Sequence, residues 1–573
     1  MMNSAIGSAT PARNPAWLGA VVMVCLALLS LAGLAKLEFG VRSHEPIQVD
    51  ELYFATCAAR GLSENQFPVA GCHDNKGPMI YWVHQLVQLA SSTYNLVAIK
   101  LAAYLNVALL TVAAAWLAYR LSGALAATAA SAFLLSALAV SSGNLALKTE
   151  LLGGLFLLLA LVALLARKGR RPTWALISAG SLLGLAVLSR QTYAVALPAL
   201  LLGIYLSVSD TGEKHWVRPF MRDSLKLMAG LLAPFGLFLL WFYLRGQERE
   251  FLANLFVYPA VRNVPSNVPL AKVLQWELGS VLSELSSRPA LCTLFALQAG
   301  AVVRALRLRR DKTPSTPQSQ ADARQLPLII SAGLMFLVIL VSPVFYPYHA
   351  LPVLLLMAPL AGIGVAELSA ALFTSGLRNA KALITISLCT PALLMAANSW
   401  SRNGSANDKR RPSAEHAVLQ GEGRGEHAFV LGIWPSFFVY NDLIPASNLM
   451  FPWALVGAPP SSMYGPPPAG SLRASMLHWA QESMEASLIQ DFRRTPPRFI
   501  AVVSSMARST TSKQITDVKV INDYLLRHCS FQQHFIGDHD FEGELYRCRT
   551  AGSELPEPSK PAPVRQGKEA SAG

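Results

Sequence analysis

"DNKGPMIYW", residues 74–82, places an acid, a base, a glycine and a proline in four of five consecutive positions, directly ahead of aromatic and aliphatic residues. Asp74 and Lys76 are costly inside a bilayer, and Gly77–Pro78 would break a spanning helix. The stretch therefore belongs at a water–membrane boundary. Proline is tolerated in the first turn of a helix, and an aspartate can cap or precede one. The segment reads as the entry to an interfacial helix beginning near Pro78, with Met79, Ile80, Tyr81 and Trp82 in the membrane interface. That grammar accounts for every residue except Lys76.

The composition supplies the membrane. Of 573 residues, 53% are hydrophobic and only 14% charged, against roughly 25% charged in soluble domains. The uncharged runs are Leu/Ala-rich and helix-length, which favours a helical polytopic protein over a barrel. The net charge of +14 reads as topology-setting Lys and Arg in short cytoplasmic loops, not as nucleic-acid binding.

Ala16–Ala35 is an uncharged run behind Arg13, long enough to cross a hydrocarbon core of about 30 Å. It reads as a retained first helix with a cytoplasmic N-terminus rather than a signal peptide, because many spans follow. Lys36–Ile80 is then a long external loop. Further runs cover Leu101–Tyr119, Leu121–Leu147, Leu151–Ala166, Trp174–Ser189, Gln191–Ser209, Leu227–Leu244, Pro289–Val303, Gln325–Ala366 (split in two near "SPVFYPYH") and Ala382–Ser401. The total is about eleven spans. The basic loops "RKGRR", "EKHWVRPFMRD", "RALRLRRDK" and "LRNAK" then share the cytoplasmic side, and the acid-rich loops and the C-terminal region lie outside.

From residue 402 the composition changes. "HAFVLGIW" (427–434) and "RFIAVVSS" (498–505) read as buried strands, residues 475–492 and 515–528 as helices, and "GELYRCR" (543–549) as a late strand. Alternating strands and helices predict a small α/β domain over 402–551, beyond a transmembrane region 1–401. The Pro/Ser/Lys/Glu-rich tail 552–573 reads as disordered. Cys57 and Cys72 flank one loop, and Cys529 and Cys548 share one segment. If both segments face an oxidising compartment, each pair could be a disulfide.

The unusual polar groups sit in external turns. Asp50, Glu51 and Tyr53 follow the first span in "QVDELYFATCAARG", whose spacing suits a short amphipathic helix along the interface; the bland reading is that the acids simply begin that helix. Lys148 and Glu150 occupy a turn between two apolar runs. Arg190 is a single cation in an uncharged stretch, and a cation at membrane depth implies an anionic partner. His349 sits in "YPYHA", where interface packing is the simplest explanation. Together these groups could converge at one membrane–water boundary and hold an anionic ligand presented from the bilayer.

The pattern "DELY…AARG…DNKGPMIYW" resembles the first external loop of the GT-C fold polyprenyl-phosphate-sugar glycosyltransferases. The match is nearest the family-39-type branch, which includes protein O-mannosyltransferases and lipid A sugar transferases. That loop in the family carries an acid pair and then a D-N-K-P-P or E-K-P-P segment; Gly77 stands here where the family usually has proline. The resemblance covers roughly residues 15–400 in topology.

It implies a membrane enzyme that moves a sugar from a polyprenyl-phosphate donor to an acceptor hydroxyl on an envelope glycan, lipid or protein. Its location would be the inner membrane, with the C-terminal domain extracytoplasmic. The family's catalytic acid maps onto Asp50 as general base, with Glu51 orienting acceptor or substrate. Arg190 is the first choice, and Lys76 the second, for stabilising the lipid phosphate that leaves. Asp74 would hold Lys76 or the loop, and Tyr53 and Lys148 join the surrounding contacts. Glu150 and His349 match polar family positions more weakly. Some members use a metal, but there is no D-x-D here, so no metal site is assigned. A flippase for lipid-linked sugars would need polar residues in mid-span, whereas these cluster at turns, and inverted repeats are not evident. An assembly protein with a degenerate site is the third reading, opposed by intact Asp50, Lys76 and Arg190.

Overall fold

The structure is a computed structural model. It describes residues 49–73, 76–139, 146–165, 172–209, 216–262, 324–340, 347–374, 422–432, 434–449, 469–503, 518–537 and 541–549, with a few single positions between. The predicted spans at Ala16–Ala35, Pro289–Val303 and Ala382–Ser401, Asp74, and the tail 552–573 lie outside these residues.

The other predicted runs all overlap helices: α3 (Leu96–Ser122), α4 (Ala124–Ala139), α5 (Thr149–Leu165), α6 (Thr173–Ser189), α7 (Leu197–Ser209, after a 3-10 turn Gln191–Ala196), α8 (Val217–Tyr243), α11 (Leu326–Leu340) and α12 (Leu351–Thr374, after a 3-10 turn Pro347–Ala350); α8 begins within the basic stretch 213–223 that the sequence reads as a loop. Four described helices are long and apolar enough to cross a membrane. Leu-rich interiors of these helices form one core. Val97, Leu101, Leu105 and Leu109 repeat every four residues along α3 and stay exposed, the stripe a helix offers to lipid. Helices α6 and α8 meet through small residues: a Cβ on Gly180 would strike the Leu227 carbonyl, and one on Gly230 the Ile177 carbonyl. Such close backbone approach substitutes for a hydrophobic driving force that lipid cannot supply.

Two helices precede the bundle core, α1 (Val49–Ser63) and α2 (Met79–Ala90). Helix α2 begins where the sequence predicts, behind Pro78, which makes no side-chain cap bond. Its aromatic start differs from expectation. Ile80, Tyr81 and Trp82 are buried, and the Trp82 indole donates to the Val69 carbonyl at 2.7 Å. The returning loop 66–72 covers them, so the outward face of α2 is Leu86 and Leu89 instead. Helix α1 likewise does not lie on the surface. Phe54 and Cys57 pack on α2, and Leu52, Ala55 and Ala59 pack on Ala428, Val430, Trp434 and Phe437 of the C-terminal domain. An amphipathic pattern marks one apolar face only; here the C-terminal domain covers the other. Disulfides join Cys57 to Cys72 and Cys529 to Cys548.

After α8 come α9 (Glu248–Leu252), a π-turn Ala253–Val257 and α10 (Tyr258–Arg262). The C-terminal domain contains β1 (His427–Leu431), α13 (Ser436–Tyr440), β2 (Ile444–Pro445), α14 (Leu472–Arg494), β3 (Phe499–Val503), α15 (Lys519–His528), β4 (Cys529–Gly537) and β5 (Phe541–Cys548). The strands form one sheet in the order β2-β1-β3-β5-β4, parallel from β2 to β3 and antiparallel beyond.

A buried ionic network fastens this domain to α1. Arg60 is fully buried. It pairs with Glu64 at 2.5 Å and Asp491 at 3.7 Å, and donates to the Pro445 carbonyl at 2.9 Å and the Thr495 hydroxyl at 3.1 Å. Arg494 closes the circuit to Glu64 and Asp491. Glu250 of α9 faces the same acids, and burial, with Asp491 and Glu64, raises its pKa from 4.5 to about 8. His73, bonded to the Tyr258 hydroxyl at 2.7 Å, is pushed by burial from 6.5 down to about 4.

These two groups have opposite pH dependences. Folded Glu250 keeps a proton that the unfolded chain sheds above its ordinary value. Its contribution is full at low pH and disappears as pH rises through about 8. The His73 contribution is present above 6.5 and is lost as pH falls through about 4. Thermal unfolding midpoints should therefore decline from pH 6.5 to about 8, and Glu250→Gln should flatten that decline. A variant with the wild-type slope would remove Glu250 from the account.

Candidate active site

Asp50, Lys76, Lys148, Glu150 and Arg190, singled out in the sequence, come together at one end of the bundle. Asp50 opens the first turn of α1 and is half-buried. The Lys148 ammonium lies 3.7 Å from its carboxylate and 4.1 Å from the centre of the Tyr348 ring. Glu150, in the first turn of α5, forms an ion pair with Arg190. The Thr149 hydroxyl donates to the Glu150 carboxylate at 2.9 Å, and the Tyr193 hydroxyl donates to its backbone carbonyl. Asp50, Tyr193 and Tyr348 all lie within electrostatic range of Arg190. Acids and bases from three segments therefore share one place, with the Tyr348 ring beside them.

Lys76 reaches the same place, since its charge acts on Lys148. Gly77 explains how. A Cβ there would meet the Leu188 carbonyl and the Ser189 backbone. Loop backbone thus rests directly on the last turn of α6, with Lys76 beside the turn that carries Arg190. A proline at this position would place its ring on the same carbonyl, so the departure from the family pattern suits the packing.

Other predicted residues have supporting places. The Tyr53 hydroxyl donates to the Cys72 carbonyl at 3.1 Å, so it orients the loop. The ring of His349 stands edge-on to Tyr348 at 4.9 Å. Glu51 differs from expectation. It is fully buried, accepting from Lys100 at 2.7 Å through one oxygen and from the Leu147 N–H at 2.9 Å through the other. Consecutive residues on a helix point about 100° apart, so Asp50 faces the shared site and Glu51 faces protein. The two carboxylates address different ammonium groups and offer no common face to a cation. Among the described residues no three His, Cys, Asp or Glu side chains gather as metal ligands.

Sequence reasoning missed Lys100, Tyr193 and Tyr348. Lys100 precedes an apolar run and looks like an ordinary span boundary; the available signal was its sign, since the predicted topology puts it on the side where bases are scarce. The tyrosines carry no pattern of their own.

A family model described as dolichyl-phosphate-mannose-protein mannosyltransferase matches residues 75–242. That region holds Lys76, Lys148, Glu150 and Arg190 but begins after Asp50. The chain is also similar to the crystal structure of ArnT from Cupriavidus metallidurans bound to undecaprenyl phosphate. Identity is 14%, with 93% of this chain and 98% of that one covered and a TM-score of 0.56. The chain has the GT-C membrane fold. The apo form of the same ArnT matches at 14% identity, the same coverage and a TM-score of 0.55. An apo oligosaccharyltransferase from Archaeoglobus fulgidus matches at 12% identity over 90% of this chain and 73% of that one, with a TM-score of 0.45. No curated protein matches the chain in sequence. Within the GT-C fold described here, the site lies where α1, the loop at Lys76 and the turns ahead of α5, α7 and α12 come together.

Proposed function

We propose that the protein transfers a sugar from a polyprenyl-phosphate donor to an acceptor hydroxyl, with Asp50 as general base. The observation that carries the reading is the gathering of Asp50, Lys148 and the Glu150–Arg190 pair, with Lys76 and Tyr348, at one end of an apolar bundle. A lipid-borne anion would enter such a place from the side. The match of residues 75–242 to a family named for dolichyl-phosphate-mannose supports it, as does the fold shared with an ArnT bound to undecaprenyl phosphate.

In this scheme an acceptor O–H loses its proton to the Asp50 carboxylate as its oxygen bonds to the anomeric carbon. The bond from that carbon to the phosphate oxygen breaks, and the electron pair leaves on the polyprenyl phosphate. Arg190, Lys148 and Lys76 meet the charge that grows there. Glu150 keeps Arg190 in place without cancelling the site, because Lys76 adds a further cation. The two disulfides suit an oxidising, extracytoplasmic side for α1 and the outer domain, where no nucleotide sugar is at hand.

The test is direct. Purified protein in lipid nanodiscs is given polyprenyl-phosphate sugars with an envelope lipid, glycan or peptide acceptor fraction, and released polyprenyl phosphate is measured by mass spectrometry. Release from at least one donor is expected; release from none would sink the reading. Gly77→Ala should leave the bundle folded yet lower turnover on the order of 10²-fold, because it pushes Lys76 away from the Arg190 turn by about 1 Å. Unchanged turnover would mean that this backbone contact does not set the site.

A further inference from the structure

Glu51 follows the proposed base directly, yet it faces away from the site. It is fully buried, and it ties together three segments. It sits on α1, its Oε2 accepts from Lys100 of α3 at 2.7 Å, and its Oε1 accepts from the backbone N–H of Leu147 at 2.9 Å. Leu147 immediately precedes Lys148, whose ammonium lies 3.7 Å from Asp50. Phe54 and His84 seal the same pocket, with His84 fully buried against Glu51, Lys100 and the Leu147 backbone.

We propose that Glu51 is a positioning residue that fixes the 146–150 turn against α1 and thereby sets Lys148 opposite Asp50. The proposal rests on the transfer reaction above. Glu51 is not a group that touches substrate. The geometry gives each neighbour a distinct task. The Leu147 bond fixes where the turn sits. Lys100 neutralises the Glu51 charge, so that the carboxylate can remain buried beside Asp50; an unpaired buried charge is strongly unfavourable. The same clamp fixes the start of α5, where Glu150 holds Arg190. One buried carboxylate therefore sets both the acidic and the basic halves of the site.

The experiment uses full-length protein with two readouts. The first is a zero-length cross-link: a water-soluble carbodiimide activates the exposed Asp50 carboxylate, and the Lys148 amine displaces the urea to form an amide with loss of water. Mass spectrometry then quantifies the joined peptides, and this needs no enzymatic activity. In Glu51→Gln the side chain keeps a single acceptor oxygen, for which the Lys100 ammonium and the Leu147 N–H compete, so the Leu147 bond is weakened. Cross-linking should fall several-fold, and kcat should fall about 10-fold with the donor KM unchanged, as expected for a displaced site. Glu51→Gln combined with Lys100→Met removes the competing ammonium and should return most of both signals.

If Glu51 instead contacted substrate, the double variant would stay as impaired as Glu51→Gln, with KM raised and the cross-link untouched; that result overturns the proposal. If wild-type protein consumes no polyprenyl-phosphate sugar, the functional reading fails. The cross-link still decides the role of Glu51, because equal yields in wild type and Glu51→Gln reject the clamp.

Discussion

Asp50→Asn should lower donor turnover by about 10²- to 10⁴-fold, the range that a positioned general base contributes. Asparagine has nearly the same shape but does not take up the acceptor's proton. The side chain at this position is 35% exposed, and the asparagine oxygen can still accept from Lys148, whose own side chain is only 4% exposed. Its partner Lys148 keeps the face of the Tyr348 ring. Donor binding should therefore survive while the chemical step fails. Single-turnover consumption of a polyprenyl-phosphate sugar, compared with binding of the unreacted donor, separates the two. Equal consumption by wild type and variant would reject Asp50 as the base.

Arg60→Met should have the largest effect on stability, through the junction between α1 and the C-terminal domain. The guanidinium is completely buried and serves Glu64, Asp491, the Pro445 carbonyl and the Thr495 hydroxyl. Removing it leaves two acids in a dry place. Breaking such a pair costs about 3–5 kcal/mol, much of it the penalty of the abandoned charge. Arg494 still reaches both acids, which places the expected loss near the lower end, about 3 kcal/mol. Hydrogen exchange over 427–449 and 472–494 would show the C-terminal domain opening. By contrast, Arg547 pairs with Glu422 on the surface, with the two side chains 40% and 66% exposed. Arg547→Ala should change stability by less than about 1 kcal/mol. Similar exchange protection in Arg60→Met and wild type would mean that apolar packing alone holds the junction.

Much of the bundle was legible from composition. Leu/Ala runs without charge have a stable solution in lipid, the helix, so α3 to α8, α11 and α12 each overlap a predicted run, but α8 starts at Val217, well ahead of the predicted Leu227 and inside the basic stretch read as a loop. Alternate loop charges set the reading of sides. The apolar runs at His427–Leu431 and Phe499–Val503 marked the central strands of the C-terminal domain. β4 was not legible. Its Phe531, Gln532, Gln533 and His534 are exposed, so it carries no apolar signature. It exists as a strand because β5 supplies backbone partners and its first residue is tied to Cys548.

The candidate site divides in the same way. Asp50, Lys76, Lys148, Glu150 and Arg190 announce themselves, because a charge beside an apolar run is expensive and needs a reason. Which acid meets which base does not follow from that expense. Tertiary packing gave Lys148 to Asp50, Lys100 to Glu51 and Arg190 to Glu150. It also turned Glu51 inward and buried α1 under a domain nearly four hundred residues later in the chain. The sequence by itself determined a helical membrane protein with ionisable groups gathered in the turns beside its apolar runs, since transfer free energies act on each residue separately. Pairing depends on distance and direction between segments, and only the folded chain supplies those.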